Sequence, residues 1–175
     1  MAVEIERKFL LAQDLPRELL NVVRRQEIIQ GYLCSDINKV VRVRVTSGHL
    51  GTQAYLTVKG KADGISREEI ETELLDFKVA KQLISSFCEG VVHKIRYTFP
   101  AKVEGNLILD KNLKPLSWEV DEFLGENEGL WIAEIELPSE DTPLIIPKWC
   151  GEEISTDHRF ANVNLAKNPY RRWGK

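Results

Sequence analysis

Charged residues separated by a single position recur along the whole chain: Glu4-x-Glu6-x-Lys8, Arg42-x-Arg44, Glu69-x-Glu71, Lys94-x-Arg96, Glu119-x-Asp121 and Glu134-x-Glu136, with Lys59 in a similar setting. Arg and Lys grip phosphate oxygens, Arg as a bidentate fork and Lys as a point charge. Carboxylates would repel phosphate directly, but they are oxygen ligands for a hard divalent cation that bridges to it. Rows of both signs therefore fit a metal-bound polyphosphate, provided they face one space. A lone Glu-x-Glu carries no such meaning, because one-sided antiparallel sheets put charged residues in water. Here full charges dominate the ladders, and acidic strands are kept distinct from basic ones.

A spacing of two places each set on one face of a β-strand. The alternate positions are often apolar: Val3, Ile5 and Phe9; Val41, Val43 and Val45; Leu56 and Val58; Ile95 and Tyr97; Ala133, Ile135 and Leu137. That face is the one expected to pack on a core or on covering helices. Alternation predicts strands at 2–10, 27–34, 39–46, 54–60, 67–74, 92–99, 117–123 and 131–137, bounded by turn residues such as Ser47-Gly48, Asp63-Gly64 and Gly125. Val79, Leu83, Ile84 and Phe87 predict a helix over 78–87, and a shorter one is expected at 16–22. An extra hairpin is expected around Leu107 to Leu109, and 142–167 read as turns with one or two short helices. The fold class is thus α+β and mainly antiparallel. A closed eight-stranded barrel would turn the charged face inward as a tunnel, with helices covering the outside. Charges in such a lumen need partners, water or ligand, since desolvation costs on the order of several kcal/mol per ion.

The chain's 175 residues fit one domain, expected to span 1–167 with a loosely held tail at 168–175. A net charge of -3 gives no overall basic field for nucleic acid, so any anion site is local. No apolar run reaches the roughly 20 residues of a membrane span, and Glu4 and Glu6 follow the start with no signal-peptide core. The expected location is the cytoplasm, with no membrane partner. Cys34, Cys88 and Cys150 lack metal-knot spacing and read as reduced, partly buried thiols; the scattered histidines suggest no soft-metal site. Trp118, Trp131 and Trp149 read as packing residues. No heptad or interface stretch decides between a monomer and a homodimer.

Glu4-Ile5-Glu6-Arg7-Lys8 resembles the N-terminal ExExK signature of the CYTH superfamily, the triphosphate tunnel metalloenzymes. The likeness continues through Gln30-Gly31-Tyr32-Leu33, Arg42-x-Arg44, Leu56-Thr57-Val58-Lys59, Ser66-Arg67-x-Glu69-x-Glu71, Lys94-x-Arg96-Tyr97, Asp121, Glu134-x-Glu136 and Gly151-Glu152-Glu153. Trp149-Cys150 and Asp157-x-Arg159-Phe160-x-Asn162 bring it nearest to the short bacterial tripolyphosphatases. The resemblance implies that Glu4, Glu6, Glu134 and Glu136 hold Mg2+ or Mn2+, with Asp121 serving a second ion. It implies that Lys8, Arg42, Arg44, Lys59, Lys94 and Arg96 grip the phosphate chain. Lys94 is expected to act on the attacking water or its proton network, with Glu4, Glu6 and Arg96 beside it in the expected catalytic set. Glu69, Glu71 and Glu119 are supporting acids, Tyr32 sits near a tunnel mouth, and Arg159 gives a late basic contact. Val163 stands where related sequences can carry Lys. The activity implied is metal-dependent hydrolysis of a linear triphosphate, with inorganic tripolyphosphate giving pyrophosphate and phosphate. Alternatives are an adenylate cyclase of class IV, a thiamine or nucleoside triphosphatase, a non-catalytic polyphosphate-binding module, and a plain sheet with solvated charges.

Overall fold

The computed structural model describes residues 5–12, 24–36, 38–63, 66–74, 76–103, 106–110, 114–139 and 141–174. The expected strands form: β1 (Ile5–Leu11), β2 (Arg24–Ser35), β3 (Val40–Gly48), β4 (Gly51–Asp63), β5 (Ser66–Leu74) and β6 (Val91–Pro100). A small hairpin, β7 (Lys102–Val103) with β8 (Asn106–Leu107), precedes β9 (Ser117–Leu124), β10 (Trp131–Leu137) and a short β11 (Cys150–Glu153). Helix α1 (Phe77–Phe87) follows β5, and α2 (Asn162–Lys167) lies near the C-terminus. The helix expected at 16–22 and the ligand candidate Glu4 lie outside the described residues.

All pairings in the main sheet are antiparallel, in the order β11-β1-β10-β9-β6-β2-β3-β4-β5. Nine strands join where eight were expected, because β11 adds to the free edge of β1. The pairings among the described residues run from β11 to β5 and include no ladder between those two edges. The sheet is nevertheless strongly curved. The Lys8 ammonium on β1 influences the Tyr32 hydroxyl on β2, although four inter-strand steps in a flat sheet would separate them by about 19 Å.

Apolar side chains pack on the outer face in two clusters. Phe9, Tyr97, Trp118, Val120, Ala133, Ile135, Leu137 and Trp149 form one, with Trp118 edge-on to Phe9 and Trp149 at centroid distances of 5.9 and 5.4 Å. The tryptophans are packing residues, as expected. Val43, Val45 and Ala54 meet Ala80 and Ile84 of α1 in the second. Asp76 caps that helix by accepting from Lys78 N at 2.8 Å. Its buried stripe runs through Ala80 and Ile84, whereas Val79 and Phe87, expected to face inward, are exposed.

A third cluster has a different place. Leu10, Val92, Phe123 and Ile132 share the face that carries the charges, and Ile154, Phe160, Leu165 and Ala166 of the C-terminal segment pack onto them. This segment is tightly seated: a Cβ on Gly90 would fall 2.1 Å from the carbonyl oxygen of Ala166. The tail expected to be loose is packed as well. Trp173 lies edge-on to Phe160 and Tyr170 at 5.1 and 5.2 Å, and Tyr170 N donates to Asn127 Oδ1 at 2.8 Å. Aromatic contact area supplies the anchoring that position at a chain end does not.

Candidate active site

Directly opposed residues of an antiparallel pair share a face, so strand register alone shows which side chains meet. Glu6 faces Glu136, and Lys8 faces Glu134. Glu134 faces Glu119, and Asp121 faces Arg96. Across β6 and β2 the row passes from Lys94 to Ile28. It continues from Gln30 to Arg44, Tyr32 to Arg42, Arg42 to Thr57, and through Thr57 and Lys59 to Glu71 and Glu69. Every described member of the predicted ladders therefore lies on one concave face.

The centre of that face is buried. Lys94 and Asp121 are fully enclosed, at 0% exposure each. Lys94 Nζ donates to Asp121 Oδ2 at 2.5 Å, and Arg96 clasps both Asp121 oxygens at 2.7 Å. Arg96 also reaches Glu134 Oε2 at 3.2 Å and pairs closely with Glu119. Burial opposes charge on Asp121, yet Lys94 and Arg96 outweigh it and hold the carboxyl well below the usual range. Burial pulls the Lys94 ammonium below the ordinary lysine value, against the attraction of Asp121. The Arg96 guanidinium is raised: burial works against it, but Asp121 and then Glu134 prevail.

Next to this knot is an acidic corner. Lys8 Nζ lies 3.0 Å from Glu6 Oε2 and 3.1 Å from Glu134 Oε1. Glu6 is raised, first by burial and then by the nearby Glu134 charge, and the two carboxyl groups lie within hydrogen-bonding reach of each other. Glu136 completes the corner opposite Glu6. Directly opposed like charges such as Glu6 and Glu136 destabilise a sheet, a cost that the Lys8 ammonium between Glu6 and Glu134 offsets in part. Hard oxygen donors held together at that cost fit a divalent ion such as Mg2+ or Mn2+. Among the described residues no three metal-binding side chains are already drawn into a closed cluster, and Glu4, the remaining expected donor, lies outside them. Asp121 suits the expected metal role least, because it is fully enclosed and Lys94 and Arg96 hold both of its oxygens at 2.5 to 2.7 Å, closer than the 3.1 and 3.2 Å contacts of Glu134.

The opposite wall is cationic and under-compensated. Arg44 donates from Nε to Gln30 Oε1 at 3.0 Å and, among the described residues, has no carboxylate at ion-pair distance. Burial, followed by repulsion from Arg42 and Arg96, lowers it to about 10. Arg42 Nε is buried with no hydrogen-bond partner, while its Nη2 reaches Thr57 at 3.0 Å and Glu71 at 3.3 Å. Lys59 pairs with Glu69 at 2.7 Å. A wall with unspent cationic donors fits an anion.

Three residues of this site stand in the quoted motifs without a role assigned to them. Gln30 is fully buried and links Arg44 to Tyr32, whose hydroxyl accepts from Gln30 Nε2 at 2.9 Å. Thr57 is fully buried between Arg42 and Glu71, donating to Glu71 Oε2 at 2.7 Å. Asn162 accepts from Lys94 at 3.3 Å. Gln30 and Thr57 hold ladder positions beside Tyr32 and Lys59, so the period of two contained the signal, but neither carries charge. Tyr32 also lines a cavity of about 270 Å³ with Cys34, Asp36, Glu89, Val163 and Lys167. Arg159 departs from expectation. Its side chain is 69% exposed, chelated by Asp157, and lies over Phe160 and Trp173, an arrangement that holds it on the outside of the C-terminal segment.

A curved antiparallel sheet with an acidic corner facing a half-buried cationic wall defines a tunnel-type domain for a metal-bound polyanion. The chain belongs to the CYTH domain family, whose profile matches residues 2–167. It is 44% identical over 172 residues to an inorganic triphosphatase of Acetivibrio thermocellus, covering 98% of this chain and 97% of that one. It is 34% identical over 166 residues to an inorganic triphosphatase of Nitrosomonas europaea, covering 93% and 96%. The crystal structure of an inorganic triphosphatase superposes with a TM-score of 0.67 at 29% identity over 95% of each chain.

Proposed function

We propose that the protein is a metal-dependent triphosphatase of the cytoplasm that hydrolyses inorganic tripolyphosphate to pyrophosphate and phosphate, using Mg2+ or Mn2+. The observation that carries this reading is the half-buried Arg44 and Arg42 pair with donors to spare, set across from Glu6, Glu134 and Glu136. Arg42 and Arg44 fork onto phosphate oxygens, Arg96 adds the one N–H that Asp121, Glu134 and Glu119 leave to it, and Lys8 and Lys59 add point charges at either side. Because these groups are fixed before substrate arrives, they stabilise charge spread over the transferred phosphoryl group without reorganising. Glu6, Glu134 and Glu136, with Glu4, would hold a divalent ion, which would supply neutralisation of phosphate charge and polarisation of the attacking water. Asp121 acts as the clamp that aligns Lys94 and Arg96. The Lys94 ammonium has three donors; Asp121 and Asn162 take two, which leaves one that a phosphate oxygen or the attacking water would take once bound substrate opens the enclosed centre of the face. A small substrate suits the site, because among the described residues the matching chemistry is for phosphate.

The test compares phosphate release from tripolyphosphate, ATP and thiamine triphosphate with either metal, while cyclic AMP is followed in parallel. Preferred turnover of tripolyphosphate supports the assignment. Negligible tripolyphosphate turnover with both metals overturns it, and tight binding without turnover identifies a polyphosphate-binding module instead.

A further inference from the structure

The residue that opens α2 reaches the charged face from outside the sheet. Asn162 Oδ1 lies 3.3 Å from Lys94 Nζ. An ammonium donates only, so the amide must present its oxygen there. Among the described residues Lys94 thus has two acceptors, Asp121 on β9 and Asn162 on the C-terminal segment. With one acceptor the ammonium turns freely about its Cε–Nζ bond. The second acceptor fixes that rotation and so directs the remaining N–H.

The segment carrying Asn162 is itself rigidly held. Asp157 accepts from Arg159 N at 3.0 Å to start the preceding turn, and Asn164 Nδ2 donates to the carbonyl of His158 at 2.7 Å. The buried Asn127 side chain donates to the Leu165 carbonyl at 3.3 Å and accepts from Tyr170 N at 2.8 Å, pinning α2 and the tail to the turn after β9. Leu165 and Ala166 are buried in the apolar cluster at this end of the sheet. A polar side chain carried on so fixed a support is suited to aiming its partner.

We propose that Asn162 is a positioning residue for Lys94, through which the C-terminal segment becomes part of the catalytic apparatus. The proposal rests on the reading of Lys94 given above as a group acting at the reacting phosphate. Loss of one charge-assisted hydrogen bond predicts that Asn162→Ala lowers kcat about 10-fold while KM and the thermal midpoint stay near wild-type values. Asn162→Asp, which keeps an acceptor oxygen, recovers most of the rate. In a Lys94→Ala background Asn162→Ala has no further effect. Independently of turnover, the side-chain ammonium resonance of Lys94, assigned by its loss in Lys94→Ala, is sharp in the wild type and broadened or lost in Asn162→Ala. An unchanged resonance, an unchanged kcat, or an equal rate loss in the Lys94→Ala background overturns the proposal. Wild-type protein that turns over no tripolyphosphate, yet whose Lys94 resonance depends on Asn162, overturns the triphosphatase reading alone and supports the positioning contact.

Discussion

Replacing Arg44 by Met sets function against stability, and the structure gives the sign of each. The Arg44 guanidinium is lowered to about 10 by burial and by Arg42 and Arg96, a displacement equivalent to about 3 kcal/mol against the charged form. The unfolded chain binds this proton more tightly than the folded one, so Arg44 detracts from stability below pH 10 or so and is relieved only above it. Arg44→Met removes that term, but it leaves Gln30 Oε1 without its donor, at a cost of about 1–2 kcal/mol. The net expectation is a gain on the order of 1 kcal/mol, or a rise of about 2–4 °C in Tm. Activity moves the other way. Losing a buried charged contact to the substrate costs about 2–5 kcal/mol, or roughly 30-fold to several thousand-fold in kcat/KM for tripolyphosphate. Thermal unfolding without ligand and steady-state phosphate release with Mg2+ measure the two effects. A variant with a lower Tm and unimpaired kcat/KM would show that Arg44 is structural and refute the reasoning.

Asp121→Asn leaves Lys94 and Arg96 buried without their shared counter-charge and is expected to cost about 3–5 kcal/mol in denaturant titration, with loss of turnover. Because Asp121 is held below the ordinary carboxylate range, its contribution is present above the unfolded value and disappears as pH falls through the folded one; acid titration of stability should be shallower in the variant. Glu6 is displaced the other way, so its charge disfavours the fold at neutral pH; Glu6→Gln should raise Tm without metal and reduce the stabilisation that added Mg2+ or Mn2+ gives. Trp173→Ala removes the ring packed on Phe160 and Tyr170 and should lower stability by about 1–3 kcal/mol, measured by thermal unfolding.

The period of two made most of the site legible. Once strands alternate, Glu134 and Glu136 must share a face, and charge marks that face along the chain. What alternation does not encode is burial of neutral polar groups: Gln30 and Thr57 look like ordinary solvent-facing strand residues until register sets them between arginines. Asn162 stands in the Asp157-x-Arg159-Phe160-x-Asn162 stretch, but its role was not legible there, since its contact with Lys94 spans 68 positions and depends on how a short helix seats on the sheet. The same non-locality hid β11, four residues with a glycine and no alternation, which pairs because β1 offers a free edge. Arg159 matches the motif, and its neighbour Asp157 holds it locally, a contact that spacing alone does not reveal. In α1, Val79 and Phe87 fit a helical period, but the curved sheet selects Ala80, whose small side chain permits close approach. Among the described residues no helix is long and apolar enough to cross a membrane.

The claim that the opposed acidic and cationic rows serve one ligand is tested most directly by a crystal structure with Mn2+ and a non-hydrolysable tripolyphosphate analogue. The account predicts an anomalous peak coordinated by Glu6, Glu134 and Glu136, and phosphoryl oxygens contacting Arg42, Arg44 and Arg96. An analogue bound on the outer face, or a saturated crystal whose Arg44 guanidinium meets no phosphate, would contradict it.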